Sequence, residues 1–177
     1  MATIDLIVLG MLKKESMGAY DIQKQVEYRH ISKWVKISTP SIYKKVIQLE
    51  EKGFITSHTE KDGKMPEKSV YTLTETGKRE FERLMEETSL APVNVFLDFN
   101  AVIVNLDSVP DDLKAKYIGN IESSVKELMT TIEENITSKE NDDNIPETGK
   151  TVLRQQYALV KAICEWINEI KNRYTFG

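Results

Sequence analysis

Ser41, Lys44, Lys45, Gln48 and Lys52 carry the most suggestive chemistry in this chain: hydroxyl, ammonium and amide donors recurring every three or four residues between Thr39 and Ile55. At about 100° per residue they share one face of a helix, and Ile42, Val46 and Leu49 share the opposite one. Such a face suits a DNA major groove. Short side chains at the helix start allow close approach, lysines attract phosphate, and Lys and Gln offer donors to base edges. The plainer alternative is a surface helix whose lysines are only solvated. Tyr43 falls off the Lys44 and Gln48 face, which assigns it a phosphate or flanking role before a base contact.

Chemistry of other kinds lacks residues to perform it. His30 and His58 are far apart and Cys164 stands alone, so the usual zinc spacings are missing and no internal disulfide is available. Cys164 falls on an apolar helix face, the setting of a buried thiol. No glycine-rich phosphate loop and no local nucleophile–base signature occurs, so the expectation is a protein that is not an enzyme, with no metal and no cofactor.

The groove-facing helix is predicted from Pro40 to Lys52. Thr39 serves as N-cap and Pro40 as first helical residue, and Gly53 with Phe54 provides a left-handed stop with its hydrophobic contact. Before it, residues 4–14 read as a buried helix and Ala19 to about Arg29 as an amphipathic one, with Tyr20 partly in the core and its hydroxyl a further phosphate contact. Trp34 is read as core. After it the period changes to that of strands: ITSHTE and KSVYTL flank an Asp62-Gly63 turn, making a β-hairpin whose tip carries Lys61, Lys64 and Lys68. Thr74 then caps a helix to about Glu87, with Phe81, Leu84 and Met85 as its apolar side. Three helices, a hairpin and a helix in that order make a winged helix-turn-helix over residues 1–90: the third helix enters the groove and the hairpin grips its flank.

The ordered motifs MGAYDIQKQV, Trp34, TPSIYKKVIQLEEKGFI and VYTLTETGK resemble the PadR family of bacterial transcriptional regulators over about the first 90 residues. The longer helical second half resembles members of the virulence-activator type. Pro40 departs from the glycine that many members carry before Ser-Ile-Tyr. The resemblance implies Ser41, Tyr43 and Lys44 as recognition-helix contacts and the Lys61 to Lys68 tip as the wing contact. It also implies a homodimer on double-stranded DNA with an inverted-repeat operator, usually as a repressor, with small aromatic effectors among its relatives.

Residues 91–177 are expected to form a helical dimerisation and effector domain. VNVFLDFNAVIVNL (93–106) alternates as a strand does and is long enough for a buried helix; the family resemblance favours helix. Pro110 opens a long helix with a near-heptad seam of Ile118, Ile121, Val125, Leu128, Ile132 and Ile136. A second runs from about Pro146 to Tyr174, and Val160, Ile163, Ile167, Ile170 and Tyr174 are assigned to dimerisation, because such seams need each other and a second copy. Tyr157 and Trp166 are the candidate effector-lining residues. The fold class expected is therefore mainly α with one small β-hairpin.

Charge distribution agrees in sign. Residues 1–90 hold 15 of the 24 Lys and Arg and 14 of the 28 Asp and Glu, a balance of +1, against −5 for the remainder. The longest apolar run, Leu6 to Leu9, is far short of a membrane span and no leader pattern is present, so the expected location is the cytoplasm. These features make a homodimeric, sequence-specific DNA-binding regulator, a repressor released by a small-molecule effector, the leading expectation. A winged-helix protein-interaction module without DNA binding is the alternative.

Overall fold

The computed structural model describes residues 2–35, 37, 41–61 and 67–175. The chain divides into two compact units, Met1–Val93 and Asn94–Gly177.

In the first unit, α1 (Ala2–Leu12), α2 (Ala19–Tyr28) and α3 (Ser41–Glu51) precede β1 (Ile55–Glu60), β2 (Lys68–Leu73) and α4 (Glu75–Ser89). Each helix contributes its apolar stripe to one core: Val8 and Leu9 from α1, Ile22 and Val26 from α2, Ile42, Val46 and Leu49 from α3, and Leu84 from α4. Trp34 packs partly buried against that core, as its size predicts. The strands pair antiparallel from Ile55 opposite Leu73 to Glu60 opposite Lys68. Met17 adds a bridge to Tyr71 through two backbone bonds of 3.2 and 3.1 Å, giving the wing a third short edge. In the sequence the Glu15 to Gly18 stretch reads only as a helix break. Two expectations need correction. Met85 is 51% exposed and Tyr20 56% exposed, because the core-facing stripe of α2 is Ile22 and Val26 and that of α4 runs through Leu84. The predicted cap Thr39, the helix start Pro40 and the Asp62-Gly63 turn lie outside the described residues.

The stop of α3 follows the physics of its sequence. Gly53 takes φ +71°, its N–H donates to the Glu50 carbonyl at 2.8 Å, and the Phe54 N–H donates to that of Leu49 at 3.0 Å. That is a Schellman closure, and a side chain at Gly53 would be strained in it.

In the second unit, α5 (Asn100–Ile103) and a 3-10 turn at Leu106–Ser108 lead into α6 (Asp111–Lys139) and α7 (Glu147–Thr175). Ile118, Val125 and Ile132 of α6 meet Val160 and Ile167 of α7 with Leu106, and Phe99 stacks on Trp166 with ring centroids 6.0 Å apart. Glu122 of α6 binds Lys126 at 2.5 Å and Lys171 of α7 at 2.6 Å, and those hydrogen bonds hold its carboxyl below the usual range. Cys164 is half-buried with its sulfur 3.9 Å from that of Met129. The seam departs from prediction at Leu128, which is 49% exposed while Met129 packs inward. A straight helix drifts about 20° per heptad from a strict seven-residue repeat, so a long seam does not stay on one side.

Residues 93–106 also differ from the expected helix. Residues 92–97 adopt no regular structure and only Asn100–Ile103 is α-helical. Val93 is 92% exposed, Val95 68% and Phe96 85%. A helix gains most of its stability from the packing of an apolar face, and among the described residues none covers Val93, Val95 or Phe96.

Candidate nucleic-acid interface

With Ile42, Val46 and Leu49 fully buried, α3 turns Tyr43, Lys44, Ile47 and Glu51 outward, all exposed, and holds Ser41 and Gln48 half-buried at the edge of the same surface. Lys44 and Gln48 thus lie where the spacing put them. Lys45 does not. Its ammonium sits 2.8 Å from Asp5 of α1, the two side chains only 15% and 14% exposed. The contact is a largely buried ion pair between α1 and α3. A cation spent on a neighbouring helix is a strut of the fold, and Lys45 is withdrawn from the interface. Lys45→Ala is expected to leave Asp5 buried without its cation and to lower stability by roughly 1–3 kcal/mol. Denaturant unfolding should register that loss at full strength, with DNA affinity of the folded fraction changed less than twofold. A large affinity loss at unchanged stability would return Lys45 to the groove.

Tyr20 and Tyr43, far apart in sequence, come together. They line a shallow cleft of about 360 Å³ with Gly18, Ala19, Asp21, Lys68, Ser69 and Tyr71, joining the start of α2, the first turn of α3 and strand β2. Lys24 stands 4.7 Å above the Tyr20 ring, a cation–π contact that keeps an ammonium beside this hydroxyl. Burial, and then the nearby Glu50 carboxylate, raise the Tyr71 phenol above its ordinary value, so it remains a hydrogen-bond donor at neutral pH. Three phenols and Lys68 line it beside the Asp21 carboxylate, and the phenol donors with the lysine charge suit a phosphodiester. Lys61 is exposed at the other side of the wing, 3.9 Å from Glu67, and Lys64 lies outside the described residues.

Ile47 and Tyr71 were not among the residues the spacing singled out. Ile47 was legible, since it falls three residues after Lys44 and four after Tyr43. An apolar side chain among donors simply carries no polar signal. Tyr71 reaches the cleft through strand pairing, which periodicity along one segment does not report.

Residues 8–83 match the family described as Transcriptional regulator PadR-like family. The first unit carries a PadR-like domain. Its sequence is 32% identical over 80 residues to the negative transcriptional regulator PadR of Bacillus subtilis (strain 168), a match covering 45% of this chain and 43% of that protein. The chain thus aligns with less than half the length of that relative. Likeness of fold reaches beyond the PadR-like domain. The crystal structure of Bacillus subtilis PadR in complex with operator DNA superposes with a TM-score of 0.81 at 20% identity, over 97% of this chain and 99% of that one. The Vibrio cholerae virulence activator AphA gives 0.72 at 18% identity, over 96% of each chain. The architecture is therefore a winged helix followed by a helical unit of the same kind.

Residues assigned to dimerisation and to an effector fall in the second unit. Val160 and Ile167 are buried against α6 of the same chain, which corrects their assignment: they have no surface to offer a partner. Ile163, Ile170 and Tyr174 are partly buried around the same core. Tyr157 packs against it too, and Trp166 is engaged by Phe99. Among the described residues no group of His, Cys, Asp or Glu could hold a metal ion, and no helix is long and apolar enough to cross a membrane.

Proposed function

We propose that the protein is a homodimeric, sequence-specific DNA-binding transcriptional regulator, a repressor released by a small-molecule effector, acting in the cytoplasm on an inverted-repeat operator. One observation carries the DNA-binding part: the helix that follows the helix-turn-helix order is anchored by three fully buried residues and presents Tyr43, Lys44 and Ile47 outward, beside a phenol- and lysine-lined cleft that meets the wing. That arrangement supplies base-edge contacts and backbone contacts from one continuous surface. The operator DNA bound by Bacillus subtilis PadR, whose fold this chain shares, supports the same reading.

Two copies are supported by the exposed apolar run of Val93, Val95 and Phe96, together with the exposed Val104, Leu128 and Leu159. Exposed apolar side chains in such number suit an association site. A two-fold pair reads two half-sites about one helical turn apart, which gives the specificity a single domain lacks. An aromatic effector in the helical unit, beside Tyr157 and Trp166, would have to displace the stack with Phe99, and it would act by binding one spacing of the two domains better than the other.

Gel retardation of DNA from upstream of the protein's own gene tests the reading. A retarded species at low salt is expected. Lys44→Ala should weaken it, and Lys68→Ala should weaken all DNA about equally while lowering the salt slope by roughly 0.9 for each phosphate left without its cation. Absence of retardation at low salt overturns the proposal and leaves the winged helix as a protein-docking module.

A further inference from the structure

We propose that Ile47 reads a thymine methyl group in the major groove; the inference rests on the DNA-binding role proposed for α3. On the opposite side from Ile42, Val46 and Leu49, each fully buried, Ile47 is 54% exposed at the middle of the outward surface. Tyr43 stands one turn before it and Glu51 one turn after, with Lys44 and Gln48 beside it. A single exposed isoleucine is ordinary on a protein surface and by itself signals nothing. Its position separates this one: it occupies the centre of the face whose other exposed members are polar, charged or phenolic.

The chemistry of the groove narrows what Ile47 can meet. Base edges there present the acceptors N7, O6 and O4, the donors N6 and N4, and one apolar group, the C5 methyl of thymine. Isoleucine neither donates nor accepts. Against a hydrogen-bonding edge it strips that edge of water and returns nothing, which penalises every site offering one. Against the thymine methyl both partners lose apolar surface to each other, which is favourable. Gln48 is the adjacent side chain, and its amide matches the N7 and N6 pattern of adenine, so the two neighbours together favour A·T pairs under the middle turn of α3.

The test uses the full-length protein and a DNA fragment selected by it from a random double-stranded library. The fragment is remade with deoxyuridine in place of thymidine, one position at a time on each strand. Uracil keeps every hydrogen-bonding group of thymine and lacks only the methyl. The wild-type protein is expected to show one thymine per half-site at which uracil weakens binding about fourfold, the value of one buried methyl. Ile47→Ala should bind the two forms equally there, with an unchanged melting temperature because the side chain it removes is exposed. Wild-type binding insensitive to uracil at every position overturns the assignment to Ile47 and leaves the regulator reading standing. So does an Ile47→Ala protein that still discriminates at the same position. A selection that recovers no bound DNA instead overturns the regulator reading, and this inference with it.

Discussion

Gly77→Ala is expected to cost the PadR-like domain roughly 3 kcal/mol or more and to abolish the proposed DNA binding through loss of its fold. A Cβ at Gly77 would lie 1.9 Å from the Phe54 carbonyl oxygen and 2.8 Å from Leu73 Cδ1. The first of these is a backbone atom, so no rotamer change relieves it. The same carbonyl accepts the Thr74 N–H at 3.0 Å, and the Thr74 hydroxyl donates to the Gly53 carbonyl at 2.7 Å while accepting the Gly77 N–H at 3.0 Å. The end of α3, the start of β1 and the N-cap of α4 are thereby tied in one knot. Denaturant unfolding followed by Trp34 fluorescence, in a Trp166→Phe background, measures the cost. A midpoint shift worth less than about 1 kcal/mol would show that the backbone there yields, contrary to this geometry.

Phe96→Asp is expected to turn the proposed homodimer into a monomer at micromolar concentration without altering helix content. Phe96 is 85% exposed in the single chain, so its removal costs the folded chain little. A buried aromatic anchor at an interface typically contributes about 2–4 kcal/mol, which raises the dissociation constant by roughly 30- to 1,000-fold. Sedimentation equilibrium reads the change, and circular dichroism confirms that α6 and α7 persist. An unaltered dimer would move the interface away from the Val93 to Phe96 run. Deleting residues 146–177 is a poorer probe. It strips Ile118, Val125 and Ile132 of the cover that Val160 and Ile167 provide, so loss of the dimer would follow from unfolding of the second unit whatever the interface.

Much of the family pattern in this chain turns out to be scaffold. Leu49, Glu50, Gly53 and Ile55 of the first motif and Tyr71, Leu73, Thr74 and Gly77 of the second are core residues, a helix stop, a cap and a close backbone approach. Even Glu50, which looks like an exposed charge, accepts the Ser57 N–H at 2.9 Å and satisfies a backbone donor of β1. A motif built from such residues identifies the fold sharply. It says little about which bases would be read, because in the proposed DNA complex that task falls to outward residues such as Lys44, Ile47 and Gln48.

What the sequence by itself determined is therefore the local part: the helices and their apolar sides, the hairpin, the left-handed stop at Gly53 and the cap at Thr74. Each follows from periodicity or from the conformational preference of a few adjacent residues, which no distant contact needs to supply. Only the tertiary structure decided that Lys45 belongs to Asp5 and not to the groove, that Tyr20 and Tyr43 share a cleft with Lys68, and that Val160 and Ile167 are consumed inside one chain. It also left Val93 to Phe96 unpacked, where alternation of apolar residues had promised regular structure. The physical reason is common to all four. Burial and ion pairing depend on which surface arrives from elsewhere in the fold, and a helical wheel knows only the direction in which a side chain points.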